Sequence, residues 1–463
     1  MSQTTLIDPA EHAPAESAPL DPCEHWSRDR IAAHQTERLR DQVARVGRDS
    51  AFYRRRFAEL GADPRDIRSL DDLRRLPFTR KADYSGSVAE NPPWGDFTAV
   101  PRERIARIHF SSGTTAKPVP QYWTARDLDR WAELYARFAH AQGVRPGDIF
   151  QCLFTYTWFV GGLGATAGFQ RLGATVIPAG SQETERQIET MLAFGTTVLC
   201  GTPSFMVHLA EVARSMGVDP RSSAVRRIIV GGEPGGGVAA TRQRIEDLWG
   251  AKCFDAYGSL EFQPIAFDCE HQSGPHLAED FAHAEVVDAT TGEPVEDGTP
   301  GVLVLTHLDK EAGPLLRWWT GDIVVRDSRP CACGRTHARL VGGVRGRADD
   351  MLVVRGINLF PSAVEDVVRS LPALSDEYRI VVDSSVRNPD TGLLNGFRLI
   401  VEAMPDAGDP KALVAAAAAE IKDKLKVRAV VEVQPFGTLP RAQHKAKRLV
   451  VEPLEVKPLE VKP

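Results

Sequence analysis

Four apolar runs between residues 148 and 233, set among helix-like stretches, constrain the fold of this chain more than any other feature. They are DIFQCLF (148–154), GATVIPA (173–179), TTVLCGTP (196–203) and RRIIVGGE (226–233), with TERQIETMLAFG and TPSFMVHLAEVARSMG in the intervals. Short apolar strands alternating with helices are what a parallel sheet with covering helices produces, so the expected fold class is α/β with mostly parallel sheets. Ligands of such sheets bind beyond the carboxyl ends of the strands. Two of the runs end in small residues, GTPS and GGEPGGG, where backbone approaches a ligand closely.

A different block begins near Met351. MLVVRG, FPSAVEDVVRSL, YRIVVDSS, GFRLIVEA, DPKALVAAAAAEIKDKL and VRAVVEVQPF read as a βαββαβ unit, large enough to fold by itself. A chain of 463 residues is expected to divide into two or three domains. The division expected is a large N-terminal domain over 1–346, a hinge at 347–350 in GRADD, and a small α+β domain over 351–463. The twice-written LEVKP at 454 and 459 reads as a solvated terminus, because a repeat fold needs about three units.

Composition removes several classes of partner. A net charge of −6 gives no electrostatic reason for nucleic acid or an anionic membrane. Residues 1–27 hold neither Lys nor Arg nor an apolar core, which argues against a secretory signal. No apolar run approaches the roughly 18 residues that span a bilayer. Seven scattered cysteines, an odd number, argue against a disulfide framework. The expected setting is cytoplasmic, with small molecules as substrates.

Three segments carry chemistry. HFSSGTTAKPVP (109–120) places N–H groups, hydroxyls and a lysine in a loop of little bulk, which suits phosphate oxygens. It is not G-x-x-x-x-G-K-[ST], so the Walker loop is excluded, and a plain Ser/Thr surface loop stays open. CLFTYTWFVGGLGATAG offers Tyr156, Trp158, Phe159, Gly161 and Gly162 for a flat apolar slot fitting a planar ring, with Gly232, Glu233, Ala256 and Gly258 as its other wall. A glycine-rich helix start packed on the sheet is the alternative. Cys269, His276, Cys331 and Cys333 match a Cys₃His structural zinc shell, with His271 and His337 competing for the imidazole place and reduced loop thiols as the alternative. Cys23, Cys152, Cys200 and Cys253 read as core thiols.

SSGTTAKP (111–118), DAYGSLE (255–261), WWTGD (318–322), GRADDMLVVRGINLFPSAVE (346–365) and GTLPRAQHKAKRLV (437–450) together resemble, in order, five segments of the adenylate-forming superfamily. The wording of the fourth, with CACGRTHARL and GGLGATAGFQRLGATVIPA, is similar to its phenylacetate-CoA ligase branch. The first hundred residues carry no recognisable chemistry. The resemblance implies a two-step reaction: an acid and ATP give acyl-adenylate and pyrophosphate, and coenzyme A then displaces AMP. It implies a pyrophosphate cradle of Ser111, Ser112, Gly113, Thr114, Thr115 and Lys117, with Thr115 also in the catalytic set. Glu261 would bind Mg²⁺, which takes one or two carboxylates plus phosphate oxygens. Tyr257 would stack on adenine, Asp322 would accept from the ribose hydroxyls with Arg347 as a second contact, and Gly232, Glu233, Ala256 and Gly258 would line the nucleotide. Lys445 would stabilise charge building between carboxylate and α-phosphate. His444 stands where relatives commonly have glycine, so Lys447 is the alternative register. Asp349 matches the hinge position and Gly356 a pantetheine tunnel. The expected acid is aryl or arylacetic, such as benzoate, anthranilate or phenylacetate. Cofactors would be ATP, coenzyme A, Mg²⁺ and structural Zn²⁺. Alternatives are loading of a carrier-protein phosphopantetheine, a small branched or hydroxylated acid, and a nucleotide-binding regulator without turnover. A homodimer is a further expectation.

Overall fold

The computed structural model describes residues 20–110, 119–355, 357–388, 391, 393–440 and 448–452. The hydroxyl-rich loop Ser111, Ser112, Gly113, Thr114, Thr115 and Lys117, as well as Gly356, Lys445, Lys447 and the repeated tail, lie outside the described residues.

The four apolar runs form the strands Ile149–Cys152, Thr175–Ile177, Val198–Gly201 and Arg227–Val230. In space, 175–177 pairs with 149–152, then come 198–201, 227–230 and Lys252–Tyr257, all parallel. Helices Gly161–Leu172, Thr184–Phe194, Pro203–Ser215 and Ala239–Trp249 make the crossovers. The third starts where Thr202 Oγ1 accepts from the Phe205 amide at 3.3 Å and proline occupies the first turn.

The parallel array is half of a larger sheet. Lys252–Tyr257 pairs on its far side, antiparallel, with Ala266–Phe267. His276–Leu277, Arg339–Leu340, Trp318–Asp327, Pro300–His307 and Ala282–Val287 follow, with Gly346–Arg347 joined to Trp318–Asp327, to complete twelve mixed strands among the described residues. Several of these hold two residues, too few for any periodicity to show in the sequence.

Residues 28–90 supply the helices that cover this antiparallel half. Helices Arg28–Asp49, Ala51–Glu59 and Lys81–Glu90 place Leu39, Val43, Val46, Tyr53, Phe57 and Tyr84 against Phe262, Leu303, Leu305 and Trp318. Helix Ala125–Ala141 begins in a capping box, Thr124 Oγ1 accepting from the Asp127 amide at 3.1 Å. Its Phe138 stacks on Phe267 with centroids 3.8 Å apart. Truncating Phe138 to alanine would cost about 3–5 kcal/mol.

The C-terminal block has its own core, including Val364, Val367, Val368, Tyr378, Ile380, Phe397, Leu399 and Ile421. Among the described residues its four-stranded sheet runs Ala429–Gln434, Phe397–Ala403, Leu374–Val382, Leu449–Val451, with helices Pro361–Arg369 and Pro410–Leu425. The expected βαββαβ order therefore needs correction at one strand. Leu352–Val354, within MLVVRG, turns back through Arg355 at φ 50° and pairs with Ile357–Leu359 in a separate hairpin. The fourth place in the sheet goes to Leu449–Val451, parallel to Leu374–Val382.

The two blocks meet through helices Ala239–Trp249 and Pro361–Arg369. The Ala240 amide donates to Asp366 Oδ1 at 3.1 Å, Thr241 Oγ1 donates to Glu365 Oε1 at 3.1 Å, and Arg369 Nη1 donates to Thr241 Oγ1 at 2.5 Å. Arg244 faces Asp376 at 3.4 Å.

Candidate active site

Among the described residues, four of the segments singled out from the sequence follow the carboxyl ends of four adjacent parallel strands. Ile149–Cys152 opens into the loop 153–160 before helix Gly161–Leu172, Val198–Gly201 into Thr202 before helix Pro203–Ser215, Arg227–Val230 into 231–238, and Lys252–Tyr257 into 258–261. Gly232 takes φ 86°, which a side chain rarely adopts, and a Cβ there would touch the Phe154 ring and Thr202 at 3.7 Å. At Gly258 a Cβ would lie 2.1 Å from Gln263 Oε1, so no larger residue fits without moving Gln263.

On the nucleotide side, Tyr257 and Asp322 come from opposite halves of the sheet and meet. The Tyr257 hydroxyl donates to Asp322 Oδ2, and Arg347 Nη1 donates to Asp322 Oδ1 at 3.1 Å. Asp322 and Arg347 are register partners in the antiparallel pair that links Trp318–Asp327 to Gly346–Arg347. Burial, then the Asp322 carboxylate, hold the Tyr257 phenol well above its ordinary pKa, so it stays a donor. Asp349 accepts from Arg347 Nε at 2.9 Å. It stands between the last strand of the large sheet and the hairpin that starts the small block. Glu233 Oε1 accepts from the Ser204 amide at 2.9 Å, at the amino end of helix Pro203–Ser215. Ala256, Tyr257, Gly258 and Glu261 are all partly buried.

On the acid side, the aromatics divide. Tyr156 is turned inward, its hydroxyl hydrogen-bonded with Thr166 Oγ1 at 2.7 Å. Trp158 is 59% exposed and tilts against Phe110, and Phe159 is 38% exposed. Phe154, not singled out in the sequence, presents its ring to both Gly161 and Gly232. A second residue missed is Lys310, buried beside the Glu261 turn; burial pulls its pKa down to about 8. Its setting, a lysine in HLDKEAG, looks in sequence like any loop lysine.

The sulfur cluster forms as expected. The ligand atoms of Cys269, His276, Cys331 and Cys333 all lie within 4.8 Å of one another. Cys269 Sγ and Cys331 Sγ are 3.8 Å apart, and Cys333 Sγ is 3.6 Å from His276 Nε2. Zinc bonds of about 2.3 Å to sulfur and about 2.0–2.1 Å to nitrogen in a tetrahedron put ligand atoms about 3.8 Å (S···S) and about 3.5 Å (S···N) apart, so the donor set fits that ion. His276 Nδ1 faces the His337 carbonyl at 3.3 Å, which leaves Nε2 to the cluster. The competing histidines drop out: His271 is exposed, and His337 has a carbonyl on each ring nitrogen, Leu277 at 3.0 Å and Cys23 at 3.1 Å. Cys23, Cys152, Cys200 and Cys253 are buried free thiols.

Comparison with known proteins gives this geometry its class. The AMP-binding enzyme family model matches residues 32–307 and that of the AMP-binding enzyme C-terminal domain matches 356–452, so the chain belongs to the AMP-binding enzymes. Among curated relatives, the phenylacetate-coenzyme A ligase of Thermus thermophilus is 39% identical over 439 residues, covering 92% of this chain and 97% of the relative. The phenylacetate-coenzyme A ligase of Pseudomonas putida is 38% identical over 440 residues, covering 93% and 96%. Among solved structures, 2-hydroxyisobutyryl-CoA ligase in the postadenylation state with 2-HIB-AMP superposes with a TM-score of 0.88 at 28% identity, covering 98% of this chain and 95% of that one. The same ligase in the thioesterification state, with 2-HIB-AMP and CoA, gives a TM-score of 0.72 at 30% identity, with coverage of 96% and 95%.

Proposed function

We propose that this chain is an ATP-dependent, AMP-forming acid–CoA ligase acting on an aryl or arylacetic acid. A carboxylate oxygen attacks the α-phosphorus of ATP and the bond to the β-phosphate breaks, releasing pyrophosphate. The CoA sulfur then attacks the acyl carbon and AMP leaves. The observation that carries the reading is near full-length identity of more than a third to ligases named for phenylacetate, in a chain where the segments DAYGSLE and WWTGD meet through Tyr257 and Asp322.

Individual roles follow the chemistry of the side chains. Asp322 would accept from the ribose hydroxyls, with Arg347 beside it, while Tyr257 stacks on adenine. Glu261 would hold Mg²⁺ together with triphosphate oxygens, and Lys445 would neutralise charge between the two anionic reactants, a task suited to a point charge in a dry site. Phe154, Tyr156 and Gly232 would flank the acid's ring. Cys269, His276, Cys331 and Cys333 would hold a structural zinc ion, whose closed shell leaves no place for a catalytic water. The large block over 1–346 and the small one over 351–463 would exchange poses about 347–350, with Asp349 in the hinge and Gly356 beside the pantetheine path. The better superposition on the postadenylation state supports assigning the present pose to the first half-reaction.

Pyrophosphate release from ATP across a panel of acids, with and without CoA, tests the reading. Arylacetic acids should give the highest kcat/KM, and turnover should require CoA. A second reading, a small hydroxylated acid, is favoured by the full-length similarity to 2-hydroxyisobutyryl-CoA ligase and predicts the reverse preference. Turnover with a carrier protein instead of CoA would replace the thiol acceptor.

A further inference from the structure

Lys310 is a buried cation to which the roles above give no task. It follows strand Pro300–His307 and is 1% exposed. Among the described residues, no carboxylate forms an ion pair with it at 4.0 Å or less. Its Nζ donates to Gln121 Oε1 at 3.3 Å and to the main-chain oxygen of Glu261 at 3.3 Å, and stands 4.0 Å from the centroid of the Trp123 ring. A methionine would fill the same slot over Trp123 without the desolvation cost of a charge, so packing alone does not account for an ammonium here.

The surroundings fix where that ammonium points. The Lys310 carbonyl accepts from Gln42 Nε2 at 2.9 Å, and the next two amides, Glu311 and Ala312, donate to the Asp127 carboxylate at 2.7 and 3.0 Å. Gln121 lies in strand Pro120–Thr124, which leaves the hydroxyl-rich loop. Glu261 lies in a turn closed by the Ser259 amide donating to the Phe262 carbonyl at 2.9 Å, and Phe262 stacks flat on His307 at 3.5 Å. One ammonium thus joins the two segments that the triphosphate and its metal would have to meet.

We propose that Lys310 is a positioning residue for the metal–triphosphate end of the site, bridging the strand that leaves the hydroxyl-rich loop to the turn that carries Glu261. The proposal rests on the reading of Glu261 as the Mg²⁺ ligand and goes beyond it by naming what holds the main chain that carries that carboxylate.

Lys310→Met is the test, because it keeps the stem over Trp123 and removes the N–H donors. In the pyrophosphate-release assay, the KM for MgATP and the Mg²⁺ concentration for half-maximal rate should each rise about tenfold, the effect of losing one hydrogen bond to a charged group. The KM for the acid should change less than about twofold on the same reasoning. Thioester formation from preformed acyl-adenylate and CoA, which uses neither triphosphate nor metal, should keep its rate. Equal losses in both half-reactions, or unchanged MgATP and Mg²⁺ dependence, overturn the proposal. Gln121→Met removes the strand side of the bridge and leaves Lys310 in place; it should shift the same two constants in the same direction by a smaller factor. No shift in that variant overturns the bridge even if Lys310→Met does not fold. Glu261→Gln separates the two levels: if it leaves the Mg²⁺ dependence unchanged, the ligand assignment fails, whereas a shift there without one in Lys310→Met removes only the role of Lys310.

Discussion

Replacing Thr241 with valine measures how firmly the two blocks are held in the pose described. Thr241 is fully buried, and its hydroxyl both donates to Glu365 and accepts from Arg369. Valine keeps the volume and drops both bonds. Glu365 retains Arg369 at 2.6 Å and Tyr378 at 3.2 Å, and Arg369 retains Asp376 at 3.5 Å, so the loss is nearer to one charged hydrogen bond than to two, about 1.5–3 kcal/mol. Once the blocks separate, water satisfies both groups, so the cost falls on the docked pose alone. At about 1.4 kcal/mol per decade, the docked population falls about 10- to 150-fold relative to the undocked one. Acid-dependent pyrophosphate release should slow accordingly, while thioester formation from preformed acyl-adenylate holds its rate or gains. Small-angle scattering should show the wider distribution of interblock distances, and Thr241→Ser should restore the parent values. Equal slowing of both half-reactions, or unchanged rates with unchanged scattering, would refute the reasoning.

Elemental analysis of the purified chain should find one zinc ion per molecule, and Cys333→Ser should remove it and lower the melting temperature by several degrees; metal-free protein in which Cys269, Cys331 and Cys333 all titrate freely would return the cluster to ordinary cysteines. Asp322→Asn leaves Arg347 with Asp349 as its charged partner and, in the role proposed for Asp322, would deprive the ribose of an ionised acceptor, so KM for ATP should rise about 10- to 100-fold. A change under about twofold in steady-state kinetics would detach Asp322 from the nucleotide. Burial, then the charge of Asp268, push the Asp255 carboxyl up to about 7 from 3.8. Its contribution to stability is therefore fully present below the unfolded value and is lost as pH rises through about 7, a swing of about 4 kcal/mol. Asp255→Asn should accordingly gain on the parent chain in urea unfolding at pH 8 and not at pH 4; parallel curves at the two pH values would mean that the carboxyl ionises normally.

Much of the fold was legible because its strands are long enough to speak. VLCG is a fully buried apolar run followed by a helix whose start, Thr202 then Pro203, is readable, and RIIV is buried from its second residue on. Three strands of the antiparallel half were silent for the opposite reason: Ala266–Phe267, His276–Leu277 and Arg339–Leu340 are two-residue strands whose pairing depends on partners more than fifty residues away in one case. Leu449–Val451 was hidden inside a segment read for its lysine, although its apolar triplet is what docks it beside Val381. Tyr257, Asp322 and Arg347, which the chain brings together, were singled out because their segments keep a distinctive wording. Phe154, Gln121 and Lys310 were not, since a buried aromatic, amide or lysine gains its meaning only from what the chain brings against it. The choice of His276 over His271 and His337 likewise needed the carbonyls that occupy His337.

The sulfur cluster sits at the narrow waist of the great sheet, where two-residue strands alone stitch one half to the other. Tyr257 belongs to one side of that seam and Asp322 to the far side, so their handshake is only as durable as the stitching. Oxidising those three thiols should therefore loosen the contact between Tyr257 and Asp322 while circular dichroism still reports intact helices, a mark of how local a seam can be in a sheet this wide.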